Sequence, residues 1–236
     1  MKKWILIIGI VAVGLAGIFV FQKFKPQGVQ ESAVAPKPVD FQATKAKAEQ
    51  GDVEAQVTLA KLYGTGQGTA PNFKESAAWY QKAIEKGNPD AQVGLGELYE
   101  AGQGVKRDLA EAARLYHLAA DQGNAGAQYN LSEMYHYGNG VKKDEAEAAK
   151  WLRSAAEQGN AAAQYGLGQR YDLGVGVAVD RVEAFKWLSL AVAQGVSDNV
   201  GALGRVKDAM KSAELSEAKK RVAAFVPTKG AKPLAK

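Results

Sequence analysis

Residues 123–158 read GNAGAQYNLSEMYHYGNGVKKDEAEAAKWLRSAAEQ, and the chain repeats this frame on both sides. Gly51, Gly87, Gly123, Gly159 and Gly195 stand 36 residues apart. Between them Ala-Gln returns at 55–56, 91–92, 127–128 and 163–164, with Leu59, Leu95, Leu131 and Leu167 following and then Tyr63, Tyr99, Tyr135 and Tyr171. Two glycines come next, at 66/68, 102/104, 138/140 and 174/176. Asn72, Asp108, Asp144 and Asp180 then appear, each with a Glu three residues on, before an Ala-rich run closes the unit. A fixed period of this length marks stacked supersecondary units.

Each recurring slot has a physical task. The boundary glycine suits the left-handed position that ends a helix. Asp52, Asn88, Asn124 or Asn160 follows it and can cap the next helix. Ala91, Leu95 and Tyr99, spaced by four, form one stripe of a first helix, as do their equivalents. The residue after each leucine is small (Ala60, Gly96, Ser132, Gly168), which lets a second helix approach closely. The Gly-x-Gly turn reverses the chain, and the Asn/Asp-x-x-Glu motifs read as capping boxes for the second helix. That helix carries Trp79, Tyr116, Trp151 and Trp187 towards its middle. The fold expected is all-α, with four helix-turn-helix units at 51–86, 87–122, 123–158 and 159–194. No single pair can bury its apolar face alone, so the pairs must stack.

Outside the repeats, 41–50 reads as an N-terminal capping helix and 195–226 as two C-terminal capping helices. Residues 227–236 form a basic tail without the composition to order itself. The segment 26–40, with Pro26, Pro36 and Pro38, reads as a spacer. Ahead of it, Trp4 to Phe21 is uncharged and apolar between Lys2-Lys3 and Lys23/Lys25. As a helix it would reach about 27 Å, close to the bilayer core. Residues 1–25 are therefore expected to be a retained transmembrane anchor. The competing reading is a cleaved signal peptide, against which stand the length of the run and Pro36 directly after the small-residue triplet Ala33-Val34-Ala35. A single N-terminal anchor with a short basic head points to an inner-membrane protein whose body faces the periplasm.

Composition narrows the function. Hydrophobic residues make up 47% and charged residues 23%, enough for a packed body, and cysteine is absent. No disulfide, thiolate metal site or lipidated cysteine is therefore available. The net charge of +5 belongs to the ends: residues 1–50 carry +4 and 195–236 carry +5, so the repeats carry −4. An acidic body repels phosphate, and no nucleic-acid partner is expected.

Chemistry is sparse. Gly102-Gln103-Gly104-Val105-Lys106 resembles part of a dinucleotide fingerprint, but a third glycine and a preceding strand are missing. The paired acids Asp108 and Glu111 sit at a helix start and read as caps rather than an acid–base dyad. His117 and His136 are the only histidines and have no second ligand at metal spacing. Neither cofactor nor metal is expected, and no enzyme.

Units such as 123–158 resemble the Sel-one-like repeat (SLR) family, relatives of the tetratricopeptide repeat, over residues 51–194. The first unit departs from the pattern, with Thr69-Ala70 in its loop and Ser76 where the others have alanine. The resemblance implies a right-handed superhelical solenoid that binds proteins, with the first helices lining a concave face. The non-core positions there would be Val57, Val93, Tyr129 and Tyr165; Lys61, Glu97, Glu133 and Gln169; and Glu100, His136 and Asp172. Tyrosine beside acidic groups suits a basic protein or peptide partner of unknown identity. The alternative is a homo-oligomer in which the repeats self-associate at the membrane.

Overall fold

The computed structural model describes residues 40–198 and 200–228, and these residues form eleven helices with no strand. A short helix α1 (Phe41–Glu49) comes first. Four helix pairs follow: α2 (Val53–Thr65) with α3 (Phe73–Ile84), α4 (Pro89–Ala101) with α5 (Leu109–Asp121), α6 (Ala125–Tyr137) with α7 (Glu145–Glu157), and α8 (Ala161–Leu173) with α9 (Arg181–Ala193). Helices α10 (Ala202–Asp208) and α11 (Ser212–Ala223) end the body and both pack on α9. Each helix of the pairs packs on its neighbours in sequence, the arrangement of a solenoid. The expected anchor, Trp4–Phe21, and most of the spacer lie outside the described residues. Among the described residues no helix is long and apolar enough to cross a membrane.

The helices start and stop where local chemistry dictates. Asp52, Asn88, Asn124 and Asn160 each accept the backbone N–H three residues on, at 2.9 Å, satisfying a donor that the helix itself cannot. Asn72, Asp108, Asp144 and Asp180 do the same for the second helices, at 3.0–3.2 Å. The reciprocal half of the expected capping boxes is not what forms in the last three repeats. Glu111, Glu147 and Glu183 turn forward to Arg114, Lys150 and Lys186 instead. The N–H groups of Asp108, Asp144 and Asp180 already donate to the carbonyls of Tyr99, Tyr135 and Tyr171, at 2.9–3.0 Å, which leaves each carboxylate free to pair with the base three residues along its own helix face.

Packing follows the small-residue slots. Leu59, Leu131 and Leu167 are fully buried in the stripe, and Gly96 meets the ring of Tyr116 so closely that a Cβ there would sit 2.7 Å from it. Tyr116 does not share the tryptophan slot read from the sequence. Thirty-six residues on from Trp79 comes Leu115, and Tyr116 sits one position further, its hydroxyl donating to Glu100 at 3.0 Å. The glycine opposite makes room for that ring.

A ladder of buried glutamines links successive repeats. Gln56, Gln128 and Gln164 each donate through Nε2 to the carbonyl eight residues back, on Ala48, Ala120 and Ala156, at 3.0–3.3 Å. Gln92, Gln128 and Gln164 accept in turn from the Nε2 of Gln122, Gln158 and Gln194, at 2.7–2.9 Å. The rung at Gln56 is incomplete: the equivalent donor position holds Lys86, and Gln56 Oε1 is buried with no hydrogen-bond partner among the described residues. Lys86→Gln should complete it. The expected gain is about 1 kcal/mol, read as a higher urea midpoint with unchanged slope, and an unaltered midpoint would refute this account of the ladder.

The N-terminal end is capped by a piece of the same frame. Gln56 binds Ala48 as its equivalents bind the preceding second helix, so α1 acts as the second helix of an incomplete repeat. Asp40, placed in the spacer on sequence grounds, is the N-cap of α1, accepting from Gln42 N–H at 2.9 Å. At the other end Phe225 stacks edge-on against Trp187, and Thr228 N–H donates to the Glu157 carbonyl at 2.8 Å. Pro227 and Thr228 thus belong to the packed body and not to the tail. The aromatic anchor at Phe225 carries the chain across α9 to α7.

Candidate functional site

The first helices present the slots singled out above, and their neighbours decide which are accessible. Val57 is only 3% exposed and lies in the core, so it is not part of a binding surface; its short apolar side chain is taken up by the cluster around Leu59. Val93 is half-buried against the cluster around Leu131. Lys61 and Glu97 are exposed neighbours in the first two repeats. Burial raises the Glu97 carboxyl above its usual range, Lys61 opposes the rise and Glu100 adds to it.

The third and fourth repeats enclose a groove of about 430 Å³ between α6 and α8. Tyr129, Glu133 and His136 line it from α6, and Tyr165 and Gln169 from α8. A second depression of about 280 Å³ adjoins it, sharing Tyr129, Glu133 and Tyr137 and reaching Glu100 on α4. Desolvation, with Glu133 next, pushes the Tyr129 hydroxyl above its ordinary value, so it remains a neutral donor at physiological pH. Six of the eleven positions read from the sequence therefore meet along one continuous surface.

The C-terminal cap engages one of these six, Tyr165, and one of the other five, Asp172. Asp172 pairs with Arg205 at 3.2 Å, and the Tyr165 hydroxyl donates to Asp198 at 2.9 Å, which leaves only the tyrosine ring to face the groove. Asp198 also accepts from the N–H groups of Ala202 and Leu203. Partial burial alone would raise its carboxyl, but these bonds outweigh burial and hold it below the usual value.

An ion-pair cluster adjoins the groove through Arg170 and His136. Arg170, 8% exposed, donates to Glu145 at 2.9 Å; His136 Nδ1 lies 2.8 Å from the same carboxylate and Lys143 Nζ 3.1 Å from it. Burial would raise Glu145, but the hydrogen bonds from Arg170, His136 and Lys143 prevail and hold it at about 2. His136 is thus tied into a structural contact. His117, the other histidine, faces the Tyr135 hydroxyl at 3.0 Å and the Trp151 ring edge-on. Among the described residues no group of side chains could hold a metal ion.

Sequence reasoning missed Tyr137 and Leu173. They end α6 and α8, are 63% and 66% exposed, and both line the groove. The signal lay in their slot, which runs Thr65, Ala101, Tyr137, Leu173 along the array, growing from small to large and apolar just before the turn glycine.

Comparison with known proteins agrees with this architecture. The sequence profile of the Sel1 repeat matches residues 53–88, 89–124, 125–160 and 161–196, the period read above with a two-residue offset. A protective antigen with an SLR fold from uropathogenic Escherichia coli is 32% identical, with a TM-score of 0.71 over 80% of this chain. This chain spans 41% of the length of that protein. A Sel1 repeat protein from Oxalobacter formigenes is 33% identical, with a TM-score of 0.65, covering 78% of this chain and 77% of its own. No curated protein matches the sequence. These comparisons indicate no catalytic family. With four profile matches in register with eight paired helices, the chain belongs to the Sel1 repeat family.

Proposed function

We propose that the protein is a binding scaffold held at a membrane by residues 4–21, which engages a protein partner through the groove between α6 and α8. The Sel1 repeat fold is typically used for protein–protein interaction, and solenoids bind along the surfaces their stacked first helices create. The observation that carries this reading is the pair Tyr137 and Leu173, two large apolar side chains left to solvent at matching positions of adjacent repeats and facing one groove. Contiguous exposed apolar surface beside a concavity costs solubility and marks an interaction site. The body faces the periplasm, the orientation favoured by a single N-terminal anchor with a short basic head, and recruits or regulates an envelope protein.

Photo-crosslinking in cells tests it. A photoreactive residue at 137 or 173 should yield a discrete adduct, and one at Leu118, 40% exposed on α5, should not. Adducts at all three positions, or at none, would count against the groove. Self-association is the second reading, because the same apolar pair could receive another copy; an adduct with the mass of two chains would establish it. Reporter fusions after Lys25 and at the C-terminus, active on one side of the membrane only, test the orientation.

A further inference from the structure

Charge along this surface is unevenly satisfied, and that bears on what it binds. Towards α8 the charged side chains in and beside the groove have internal partners: Arg170 meets Glu145, and Asp172 meets Arg205. Towards α4 the opposite holds. Glu97, Glu100 and Glu133 form no ion pair among the described residues, and Glu100 and Glu133 line one depression that opens into the groove. Lys61 lies near enough to Glu97 to oppose its rise in pKa but forms no ion pair with it. The surface is thus divided, with an apolar, charge-neutral end at Tyr137, Tyr165 and Leu173 and an anionic end at Glu97, Glu100 and Glu133.

Resting on the scaffold reading above, we infer that the groove takes a bipartite peptide segment of a partner protein, with large apolar residues at α6–α8 and lysines or arginines towards α4. Uncompensated carboxylates attract bases and repel acids, so they set both the orientation and the selectivity of the segment. The apolar end supplies the anchor, since buried aliphatic and aromatic contacts dominate such interfaces. Neighbouring helix axes are on the order of 10 Å apart, so the step from α8 to α4 is on the order of 20 Å. An extended chain advances about 3.3 Å per residue, which places the basic residues about six positions from the apolar anchor.

A random dodecapeptide library panned on the full chain in zwitterionic lipid nanodiscs tests this. Enriched peptides should carry Lys or Arg at one end and Leu, Phe or Trp about six positions away. Against one such peptide, Glu97→Gln/Glu100→Gln/Glu133→Gln should weaken binding by roughly tenfold or more in 50 mM salt and by far less in 500 mM, as screened surface charges require. Tyr137→Ser/Leu173→Ser should weaken it by at least about tenfold at both salt concentrations. Acidic or charge-neutral consensus peptides, or a triple variant that binds normally while Tyr137→Ser/Leu173→Ser does not, would overturn the charge assignment and leave the groove standing. Binding indifferent to Tyr137→Ser/Leu173→Ser, or no enrichment at all, would overturn both. Dimerisation of the full chain that Tyr137→Ser/Leu173→Ser abolishes would give the groove to a second copy and overturn the inference.

Discussion

Gly140→Ala is expected to cost about 3–5 kcal/mol, a loss at the upper end for a single methyl group. Gly140 has φ +70°, where alanine is strained by about 1 kcal/mol. The larger part comes from the neighbouring repeat. A Cβ at this position would collide with the Leu109 carbonyl, which opens α5, and that obstacle is backbone with no flexible end to move aside. Gly104 and Gly176 stand in the same relation to Phe73 and Glu145, so the second glycine of each turn is where one repeat seats on the last. Gly87→Ala is the control: φ is +76° and nothing lies within 4 Å, so only the backbone strain applies. In a quasi-one-dimensional array a broken junction uncouples its two sides. Urea denaturation followed by circular dichroism should show a broader transition with two steps for Gly140→Ala and a shifted single step for Gly87→Ala. Equal losses in the two variants would refute the seating argument.

Glu145→Leu is the second large effect, expected at about 3–5 kcal/mol because it leaves Arg170 buried without its carboxylate. The frame itself supplies the remedy. The slot of Arg170 holds Leu62, Leu98 and Met134 in the other repeats, and the slot of Glu145 holds Phe73 and Leu109 before it. Met134 and Leu109 share one apolar cluster, so the junction of the third and fourth repeats has exchanged an apolar pair for an ionic one. Glu145→Leu/Arg170→Met gives this junction the apolar chemistry of the other repeats and should recover stability to within about 1 kcal/mol of the starting protein. The acid response follows from the same carboxylate. Its value in the fold, about 2, lies below the ordinary 4.5, so its stabilisation is complete above pH 4.5 and is lost as pH falls through about 2. The starting protein should therefore lose more stability than the double variant between those limits. Parallel acid curves for the two would remove Glu145 as the cause.

Helix placement was legible because its determinants are local. Asn88 caps α4 through the N–H three residues away, and Gly102 ends the same helix; both act within one turn and can be read from adjacent letters. The 36-residue period then supplies the stacking, since an apolar stripe that recurs in every pair must be buried by the next pair. The forward turn of Glu111, Glu147 and Glu183 was less legible, because the N-cap N–H that would have received each of them is taken by the carbonyl of Tyr99, Tyr135 or Tyr171 across the turn.

The site behaves differently because its determinants come from other repeats. A slot common to four units looks equivalent in sequence, yet Val57 is core while Tyr129 lines a groove. Tyr165 and Asp172 are engaged by Asp198 and Arg205, which lie 33 residues further on in a cap that does not follow the repeat. Glu145 owes its charge state to Arg170, 25 residues away, and Tyr137 and Leu173 become a pair only when α6 and α8 stand side by side. The sequence alone determined the repeat, its helices and its caps, since these rest on contacts within a turn or on a strict period. Which side chains are left to meet a partner, and with what charge, was decided by the tertiary structure, because burial and ion pairing depend on what the next repeat brings.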